Sequence, residues 1–497
     1  MPKSKAFLKQ AKPKPKKEQK LDTADDFQAA GVDFEEAAGK WRAGDAAKSM
    51  RFFQRAVDVY AQGLAKFPQS IDLAYNKARV QLEIATHPIL ADQLQRPLKD
   101  VLDEALASHR YVLQLDPDNA DALFNTSQVI TAIAEDLASS EDDEDNEAQA
   151  LKILHEALDL QSRCLSVQEH KYQEFLEQER IVNEREEVMD SQSTSTTNPT
   201  NDTQQGDAEE EDEWFNVVEP VTHDTLIDTV IAQLGTLTTF CSILSSSPEA
   251  APAHTLSWVE ELSANLLQKA QAFSGDHPER LQEIALAKGN LVSMMLEAAY
   301  RSGKIDAETY KRERDVAFAV AELQLESSSD GLIANARSLL AFNSALADAE
   351  NGDAQSHSTL RWNVLTASIA NLKSASAIQR VSQEDLATTH LLRGDASLYL
   401  CAMAFPPTSH QTAKDTTAQN AKNAAVYYRN ASRLSQDQEE KDISSIKSAV
   451  AQYLETYSQG QGDLSLIFNA SPRDQEWTAQ QLEDMVAEKL VPQALLF

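Results

Sequence analysis

The feature that most constrains the fold is a set of small and aromatic residues at fixed spacing. Ala56, Tyr60, Gly63 and Pro68 are separated by four, three and five residues, and Gly44 precedes Ala56 by twelve. Small side chains let the two helices of a hairpin cross closely, an aromatic ring fills the gap between successive hairpins, and proline stops the second helix. The series therefore predicts a hairpin of two antiparallel α-helices.

The same series recurs along the chain. Later occurrences place the following residues at the same positions: Ala78, Ala105, His109, Val112 and Pro117; Ala120, Ser127, Ala157, Gln161 and Cys164; Leu234 and Gly235; Gly394, Ala424, Tyr428 and Ala431. These spacings are typical of the tetratricopeptide repeat (TPR) of about 34 residues. We predict an all-α protein, a TPR-like right-handed superhelix of antiparallel helical hairpins with acidic insertions. An array of other helical hairpins is the alternative.

Composition supports this fold class. Only 14 of 497 residues are glycine, which argues against β-barrels and dinucleotide-binding folds that need glycine for turns and close backbone approach. Cys164, Cys241 and Cys401 are far apart and odd in number, so no disulfide framework is predicted. The start offers no signal peptide and no apolar run reaches about 18 residues. We therefore expect a soluble intracellular protein without a membrane segment.

The charge balance indicates the chemistry of a partner. The chain has 45 Lys+Arg and 78 Asp+Glu, a net charge of −33. Such an excess of acid argues against direct nucleic-acid binding, because phosphates are met by Lys and Arg. Residues 135–213 are especially acidic, with 25 Asp+Glu and five Lys+Arg. The charge predicts a basic partner, or serves only solubility.

Composition shifts divide the chain into five parts. We predict a disordered Lys-rich tail at 1–30, TPR-like repeats one to three at 31–190, a disordered acidic linker at 191–213, further helical hairpins at 214–460, and a C-terminal segment with a terminal helix at 461–497. An acidic insertion at 139–147 interrupts the third repeat, and a long helix from about 147 to 190 is expected to project beyond its neighbours. The lysines of the tail are either a nuclear-import signal or a solvated arm: Lys12, Lys14, Lys16, Lys17 and Lys20.

No pattern for catalysis is found. The histidines and cysteines lack metal-ligand spacing, and no glycine-rich phosphate loop occurs. His109 and Cys164 occupy packing positions of the repeat, which explains them better than ligation or acid–base chemistry. The sequence therefore predicts a protein that is not an enzyme and uses no metal, cofactor or small-molecule substrate.

The first helices of stacked hairpins line a concave groove. Residues on that face are the predicted client-binding set: Trp41, Asp45, Asp72, Tyr75, Asn76, Arg79, Asp121, Phe124, Asn125 and Gln128. Asn76 and Asn125 fall at the same repeat position, where a carboxamide can donate to and accept from a peptide backbone. The aspartates can pair with Lys or Arg of a ligand. Ordinary polar residues on a solvated helix face are the alternative.

Five segments resemble a known fungal family. They are the lysine-rich start, DFEEAAGKWRAGDAAKSMRFFQRAVDVYAQGL (33–64), EWFNVVEPVT (213–222), LRGDASLYL (392–400) and AVYYRNASRLS (425–435). They are similar to the TPR family of dedicated assembly chaperones for large-subunit ribosomal protein four. The similarity covers most of residues 33–460, and residues 191–212 match no feature of the family.

The resemblance implies a specific role. A member of this family would hold the basic, extended internal loop of newly made ribosomal protein four in its acidic groove, prevent its aggregation, and deliver it to nuclear pre-60S assembly. It would act in cytoplasm and nucleus, with a nuclear import receptor as a further partner and ribosomal RNA as the competitor that releases the client. The alternative is a general TPR adaptor that joins other proteins.

Overall fold

The computed structural model describes residues 21–140, 145–193, 221–252, 254–275, 278–348, 357–458 and 460–495. The lysines of the tail, residues 141–144 of the acidic insertion and residues 194–213 of the linker lie outside the described residues. The expectations for these segments stay predictions. The expected bounds of the tail and the linker are wrong, because a helix begins at Ala24 with Phe27 buried in it, and residues 191–193 belong to a helix that ends at Ser193.

Within the described ranges every regular element is a helix, which confirms the all-α prediction. The α-helices are α1 (Ala24–Trp41), α2 (Ala46–Lys66), α3 (Ile71–Thr86), α4 (Pro88–Ala91), α5 (Leu98–Leu115), α6 (Ala120–Ser139), α7 (Asn146–Ser193), α8 (His223–Ser246), α9 (Thr255–Ser274), α10 (Pro278–Arg301), α11 (Ala307–Phe318), α12 (Ser329–Asp348), α13 (Ser358–Ala375), α14 (Gln383–Ala402), α15 (Gln411–Leu434), α16 (Gln438–Tyr457), α17 (Ser465–Ala470) and α18 (Gln475–Ala487).

Consecutive helices pack as hairpins. The pairs in contact include α1 with α2, α3 with α5, α6 with α7, α12 with α13 and α14 with α15. Side-chain caps define several helix starts: Ser70 accepts from the Leu73 amide and Asn119 from the Ala122 amide. Such caps satisfy backbone N–H groups that have no partner inside the helix. The predicted array of helical hairpins is present.

The chain divides into two compact units after Pro117. The first unit contains α1–α5, and its core includes the fully buried Phe53, Tyr60 and Leu73. The second unit contains α6–α18 and has separate clusters of buried side chains along its length, one around α7–α10 and another around α14–α18. This division falls inside the segment 31–190.

Most of the predicted packing residues are buried. The buried members are Ala56, Tyr60, Gly63, Ala78, Ala105, His109, Val112, Ala120, Ser127, Ala157, Gln161, Cys164, Leu234, Gly394, Ala424, Tyr428 and Ala431. Pro68 and Pro117 lie in the turns that follow α2 and α5, as their role of stopping a helix requires.

The predicted packing role is wrong for two glycines. Gly44 lies in the turn between α1 and α2, Gly235 lies on an exposed face of α8, and a Cβ at either position would meet nothing within 4 Å. The close approach to α2 is made instead by Gly31, where a Cβ would lie 2.2 Å from the Tyr60 ring. The error arises because α1 and α2 have 18 and 21 residues, so the contact lies further upstream than a shorter repeat would place it.

Helix α7 is the long helix that the sequence predicts. It has 48 residues, which corresponds to about 72 Å. Its buried face runs from Ala150 to Gln168, and beyond Tyr172 the described side chains are mostly exposed, among them Leu176 and Val182.

Helix α8 corrects the expectation that no segment is apolar enough to cross a membrane. Its mean hydropathy reaches 1.4, and 61% of that window is buried. Leu234, Leu237 and Phe240 are fully buried against neighbouring helices of the second unit. These contacts make α8 a core helix, which explains its apolar sequence without a membrane.

Candidate functional site

Alternate helices of the second unit form one continuous face. Helices α6, α8, α10, α12 and α14 contact one another in that order, with α7, α9, α11 and α13 between them along the chain. They run parallel. The Thr239 hydroxyl, near the end of α8, donates to Glu135 near the end of α6 at 3.1 Å. Arg301 and Asp348, at the ends of α10 and α12, are paired at 2.7 Å. Arg280 in the first turn of α10 pairs with Asp228 near the start of α8, and Asp330 and Glu384, at the starts of α12 and α14, line one cavity. The beginnings of these helices therefore lie along one edge.

Carboxylates line that edge. The second residue of each of the five helices is acidic, and we call this set the acidic edge: Asp121, Asp224, Glu279, Asp330 and Glu384. A helix macrodipole favours an acid in its first turn, but that effect alone does not single out one face. Of the four intervening helices, α7 and α11 begin this way, whereas α9 and α13 have no acid in the first turn. Beyond α14, α16 and α18 also begin with an acid at the second position, whereas α15 does not.

A cavity of about 580 Å³ opens on this face, and we call it the central cavity. Its apolar wall is formed by side chains of α10 and α12: Leu286, Met294, Ile333, Ala334 and Ala341. Asp330, Glu384, Asp385 and Arg337 also line it, and all but the half-buried Asp385 are exposed. The central cavity thus combines an apolar wall with more carboxylates than cations.

A second cavity, of about 440 Å³, lies between α6 and α8. The predicted groove residues Phe124 and Gln128 line it together with Glu135, Asp228 and Glu283. Arg280 of α10 reaches the last two: it pairs with Asp228 and, at 2.6 Å, with Glu283. Arg280 Nε also lies 3.3 Å from Asp224 of the acidic edge, so three carboxylates surround this one guanidinium and the local charge stays acidic.

A polar group is buried behind the central cavity. Arg314 of α11 is 4% exposed, and burial lowers the pKa of its guanidinium. Its Nε donates to Ser338 Oγ at 3.1 Å, and the Ser293 hydroxyl donates to the same oxygen at 2.8 Å. Ser293 and Ser338 both line the central cavity, so its wall carries two hydroxyls whose positions are fixed by hydrogen bonds.

The predicted residues of the first unit lie at its helix ends and on α3. Trp41 is the last residue of α1 and is 41% exposed, with Lys48 Nζ 3.0 Å from its ring centre. Asp45 was expected on the first helix, but α1 ends before it. It is the N-cap of α2, accepting from the Lys48 amide at 2.9 Å. Its carboxylate therefore serves a local structural role.

Arg79 also has its binding partner within the protein. Its guanidinium pairs with Glu35 of α1, and the same carboxylate accepts from the Tyr60 hydroxyl at 2.5 Å. Burial, followed by this hydrogen bond, raises the pKa of Tyr60. The interactions join α1, α2 and α3, so Arg79 is a structural residue rather than a free contact for a client.

The second unit repeats this arrangement. Tyr428 of α15 donates to Asp395 of α14 at 2.8 Å, and Lys447 of α16 pairs with Asp395 at 3.0 Å. The ring of Tyr428 packs on Gly394, as Tyr60 packs on Gly31. A glycine, a tyrosine, a carboxylate and a cation thus fasten three successive helices in each unit.

The remaining predicted residues lie on the expected helices. Asp72 and Asp121 are exposed in the first turns of α3 and α6. Tyr75 and Asn76 are half-buried on α3, and Asn125 is half-buried on α6. Asn76 and Asn125 belong to different units, and each is described within its own.

Sequence reasoning missed the acidic edge beyond α6. The repeat signature is absent from α10 and α12, so no residue of these helices was predicted to contact a client. An acid directly after each helix start is the signal that could have found Asp224, Glu279, Asp330 and Glu384.

Chemistry at the titratable groups is limited. Among the residues that the structure describes, no group of three or more His, Cys, Asp or Glu side chains could hold a metal ion. Burial raises the pKa of Cys164 and Cys241 to about 12, which keeps both as thiols. Burial lowers the pKa of His109 to about 4, which keeps the imidazole neutral near pH 7.

Comparisons with known proteins find fungal relatives. No protein-family model matches the chain. It is 33% identical over 159 residues to a Schizosaccharomyces pombe protein called "UPF0656 protein C926.02", which covers 31% of this chain and 34% of that protein. It is 38% identical over 78 residues to the Saccharomyces cerevisiae "Uncharacterized protein YNL193W", covering 15% of this chain and 14% of that protein. The matches thus span about a third and about a seventh of these relatives.

Proposed function

We propose that this protein is a non-catalytic, TPR-like chaperone that binds a basic, extended segment of newly made large-subunit ribosomal protein four. It shields that segment from aggregation and accompanies the client from cytoplasm to nucleus for pre-60S assembly. The observation that carries the proposal is the acidic edge beside the central cavity, on one face of the second unit. The resemblance of the five sequence segments supplies the identity of the client.

Charge supports a basic client. A segment destined to contact ribosomal RNA is rich in Lys and Arg and has no stable fold alone. Opposite charges speed its capture and suppress wrong contacts. Each exposed ion pair contributes roughly 0.2–1 kcal/mol, so binding depends on several carboxylates in a row rather than on one strong pair.

The apolar wall supports capture of an extended chain. Leu286, Met294 and Ile333 offer contact to the hydrocarbon stems of Lys and Arg or to apolar residues between them. A ligand held in this way can be released when RNA phosphates compete for its cations, so no nucleotide hydrolysis is needed. The lysines of the N-terminal tail then remain available to an import receptor.

A general TPR adaptor is the second candidate. The exposed apolar residues of α7, Leu176 and Val182, favour it because they offer contact to a partner away from the acidic edge. In that case the acidity of the second unit serves solubility.

Charge reversal separates the two candidates. The test variant replaces three exposed residues of the acidic edge: Asp121→Lys, Asp330→Lys and Glu384→Lys. The matched control replaces three exposed acids in first turns of other helices of the same unit: Glu308→Lys, Glu439→Lys and Glu476→Lys. Both variants change the net charge equally and place a cation at three helix starts.

Binding to purified ribosomal protein four is measured by titration calorimetry. We expect the test variant to lose at least about tenfold in affinity and the control to stay within about threefold of the wild type. Wild-type binding should weaken steeply between about 0.1 and 0.5 M salt. Equal affinities of the two variants would contradict the assignment of the face. If the protein is purified from cells and ribosomal protein four does not co-purify with it, the assignment of the client is contradicted.

A further inference from the structure

The first hairpin carries a surface whose charge is opposite to that of the protein as a whole. Helix α2 has cations at positions 48, 51 and 55, and residues three and four apart share one side of a helix. Aromatic side chains of α1 and α2 lie among them, and we call the six residues the basic patch: Phe34, Trp41, Lys48, Arg51, Phe52 and Arg55. Since the net charge of the chain is −33, the basic patch is a local exception.

Direct contacts join the basic patch into one surface. The rings of Phe34 on α1 and Phe52 on α2 are stacked, with their centroids 6.4 Å apart. The guanidinium of Arg55 lies 5.8 Å from the centre of the Phe52 ring, and Lys48 Nζ lies 3.0 Å from the centre of the Trp41 ring. Cation–π contacts hold the charged groups beside the rings, so positive and apolar surface lie side by side.

The cations of the basic patch are available to a ligand. Arg51 and Arg55 are exposed, and Lys48 is half-buried. In the ranges that the structure describes, none of the three forms an ion pair with a carboxylate. Arg42, by contrast, is paired with Glu83 of α3. Three neighbouring positive charges on one helix face are thus not neutralised within the described chain.

Solubility alone does not explain the basic patch. Charged side chains by themselves would keep a surface soluble, but here aromatic rings are exposed between them. Trp41 is 41% exposed, and Phe34 and Phe52 are half-buried. Val101, which occupies the position of Phe52 in the next repeat, is only 3% exposed. The patch therefore has the composition of a face that another element covers.

We propose that the basic patch binds an acidic amphipathic helix of a partner protein. Carboxylates of the partner pair with Lys48, Arg51 and Arg55, and its apolar side chains contact the aromatic rings. Helix α3 packs against both α1 and α2, so a helix laid across this hairpin is a geometry that the fold already uses. The three cations span about 10 Å of α2, which two turns of a second helix match.

The sign of the basic patch separates this partner from the basic client. A client rich in Lys and Arg is repelled by the three cations, so it does not compete for the patch. The N-terminal tail is an unsuitable occupant for the same reason, because residues 1–20 contain eight lysines and one glutamate. The inference therefore adds a second partner of opposite charge and does not rest on the proposed function.

An acidic protein fits the basic patch better than RNA does. Bases stack on free ring faces, but Phe34 and Phe52 stack on each other and Lys48 occupies one face of Trp41. Every nucleotide also adds a phosphate that the net charge of −33 repels, whereas a peptide needs only a few carboxylates. Trp and Arg are residues that often dominate the binding energy of protein–protein interfaces.

Two peptides of about 18 residues, or five helical turns, test the class of partner. The first is an acidic amphipathic helix with Leu and Phe on one face and Glu on both sides of that face. The second has the same composition in a scrambled order, and an oligouridine of similar length is the third probe. Affinity for the full-length protein is measured by fluorescence anisotropy. We expect the first peptide to bind about tenfold more tightly than either of the others.

Variants connect this binding to the basic patch. Arg51→Glu with Arg55→Glu should weaken the first peptide at least about tenfold, because two attractive charges become repulsive. The matched control is Lys414→Glu with Lys422→Glu, which changes two exposed lysines of α15 and the net charge equally. Its affinity should stay within about threefold of the wild type. Trp41→Ala keeps the charges and should weaken the first peptide several-fold through lost apolar contact.

Four results would overturn the proposal. Equal binding of the two peptides rejects the amphipathic helix, and unchanged affinity of the Arg51→Glu, Arg55→Glu variant rejects the basic patch as its site. Tighter binding of oligouridine that this variant abolishes assigns the patch to RNA. Self-association of the wild type in analytical ultracentrifugation that the variant abolishes assigns it to a second copy of the chain. None of these results bears on the basic client, whose proposed site lies in the second unit.

Discussion

The buried His109 makes the stability of the first unit depend on pH. Its side chain on α5 is fully buried, and burial lowers its pKa from 6.5 to about 4. The unfolded chain binds a proton near the ordinary pKa, whereas the folded chain resists it. Between these values the unfolded state holds more protons, so stability is complete above about pH 6.5 and falls as the pH drops toward 4.

The size of the effect follows from the shift. The full difference corresponds to about 3 kcal/mol, of which about 2 kcal/mol is lost between pH 7.5 and pH 5. His109→Gln removes the titrating group. Between pH 7.5 and pH 5, we therefore expect the unfolding free energy of His109→Gln to fall by about 2 kcal/mol less than that of the wild type. This difference does not depend on how stable the variant is at pH 7.5.

Hydrogen–deuterium exchange of peptides from α3 and α5 measures this locally, because a global transition of two units would mix their stabilities. His170→Gln on α7 is the matched control, since the His170 side chain is 76% exposed and belongs to the second unit. Its α3 and α5 peptides should retain the wild-type pH dependence. The same pH dependence in His109→Gln and wild type would refute the reasoning.

Three further predictions concern the packing of the second unit. Gly394→Ala should destabilise the protein by about 1–3 kcal/mol in thermal unfolding, because its Cβ would lie 2.4 Å from the buried Tyr428 ring. Gly235→Ala should be neutral or stabilise by up to about 1 kcal/mol, since that exposed helical position has open space; a loss equal to that of Gly394→Ala would contradict the assignment. Asp395→Asn and Lys447→Met should each lower the unfolding free energy by about 3 kcal/mol, because each leaves the other partner of a buried ion pair alone. In urea unfolding, the double variant should lose less than the sum of the two single losses. Additive losses would argue against the ion pair.

Much of the fold could be predicted because its signals are local. The spacing of Ala56, Tyr60 and Gly63 identifies one face of α2, and all three are buried. The long helix α7 and the turns at Pro68 and Pro117 also follow from neighbouring residues. Gly44 failed because a fixed repeat length was assumed, whereas the actual lengths of α1 and α2 moved the contact to Gly31.

The candidate site was predicted only where it coincided with the repeat signature. Phe124 and Gln128 line a cavity, as a groove position should. Arg79 and Asp45 have the right chemistry to bind a ligand. In the structure, however, Arg79 pairs with Glu35, and Asp45 caps the start of α2. Sequence position does not reveal such partners, because Arg79 and Glu35 are 44 residues apart.

The all-helical chain of hairpins and its large excess of acid follow from the amino-acid sequence alone, since helix periodicity, helix-ending residues and net charge depend on neighbours or on simple counts. Which carboxylates share a surface depends on how the helices pack against one another. Asp121, Asp224, Glu279, Asp330 and Glu384 lie more than 50 residues apart along the chain, so their sequence neighbours do not reveal that they share a surface. Packing of parallel helices aligns them, because burial of apolar faces fixes how each helix sits beside the next.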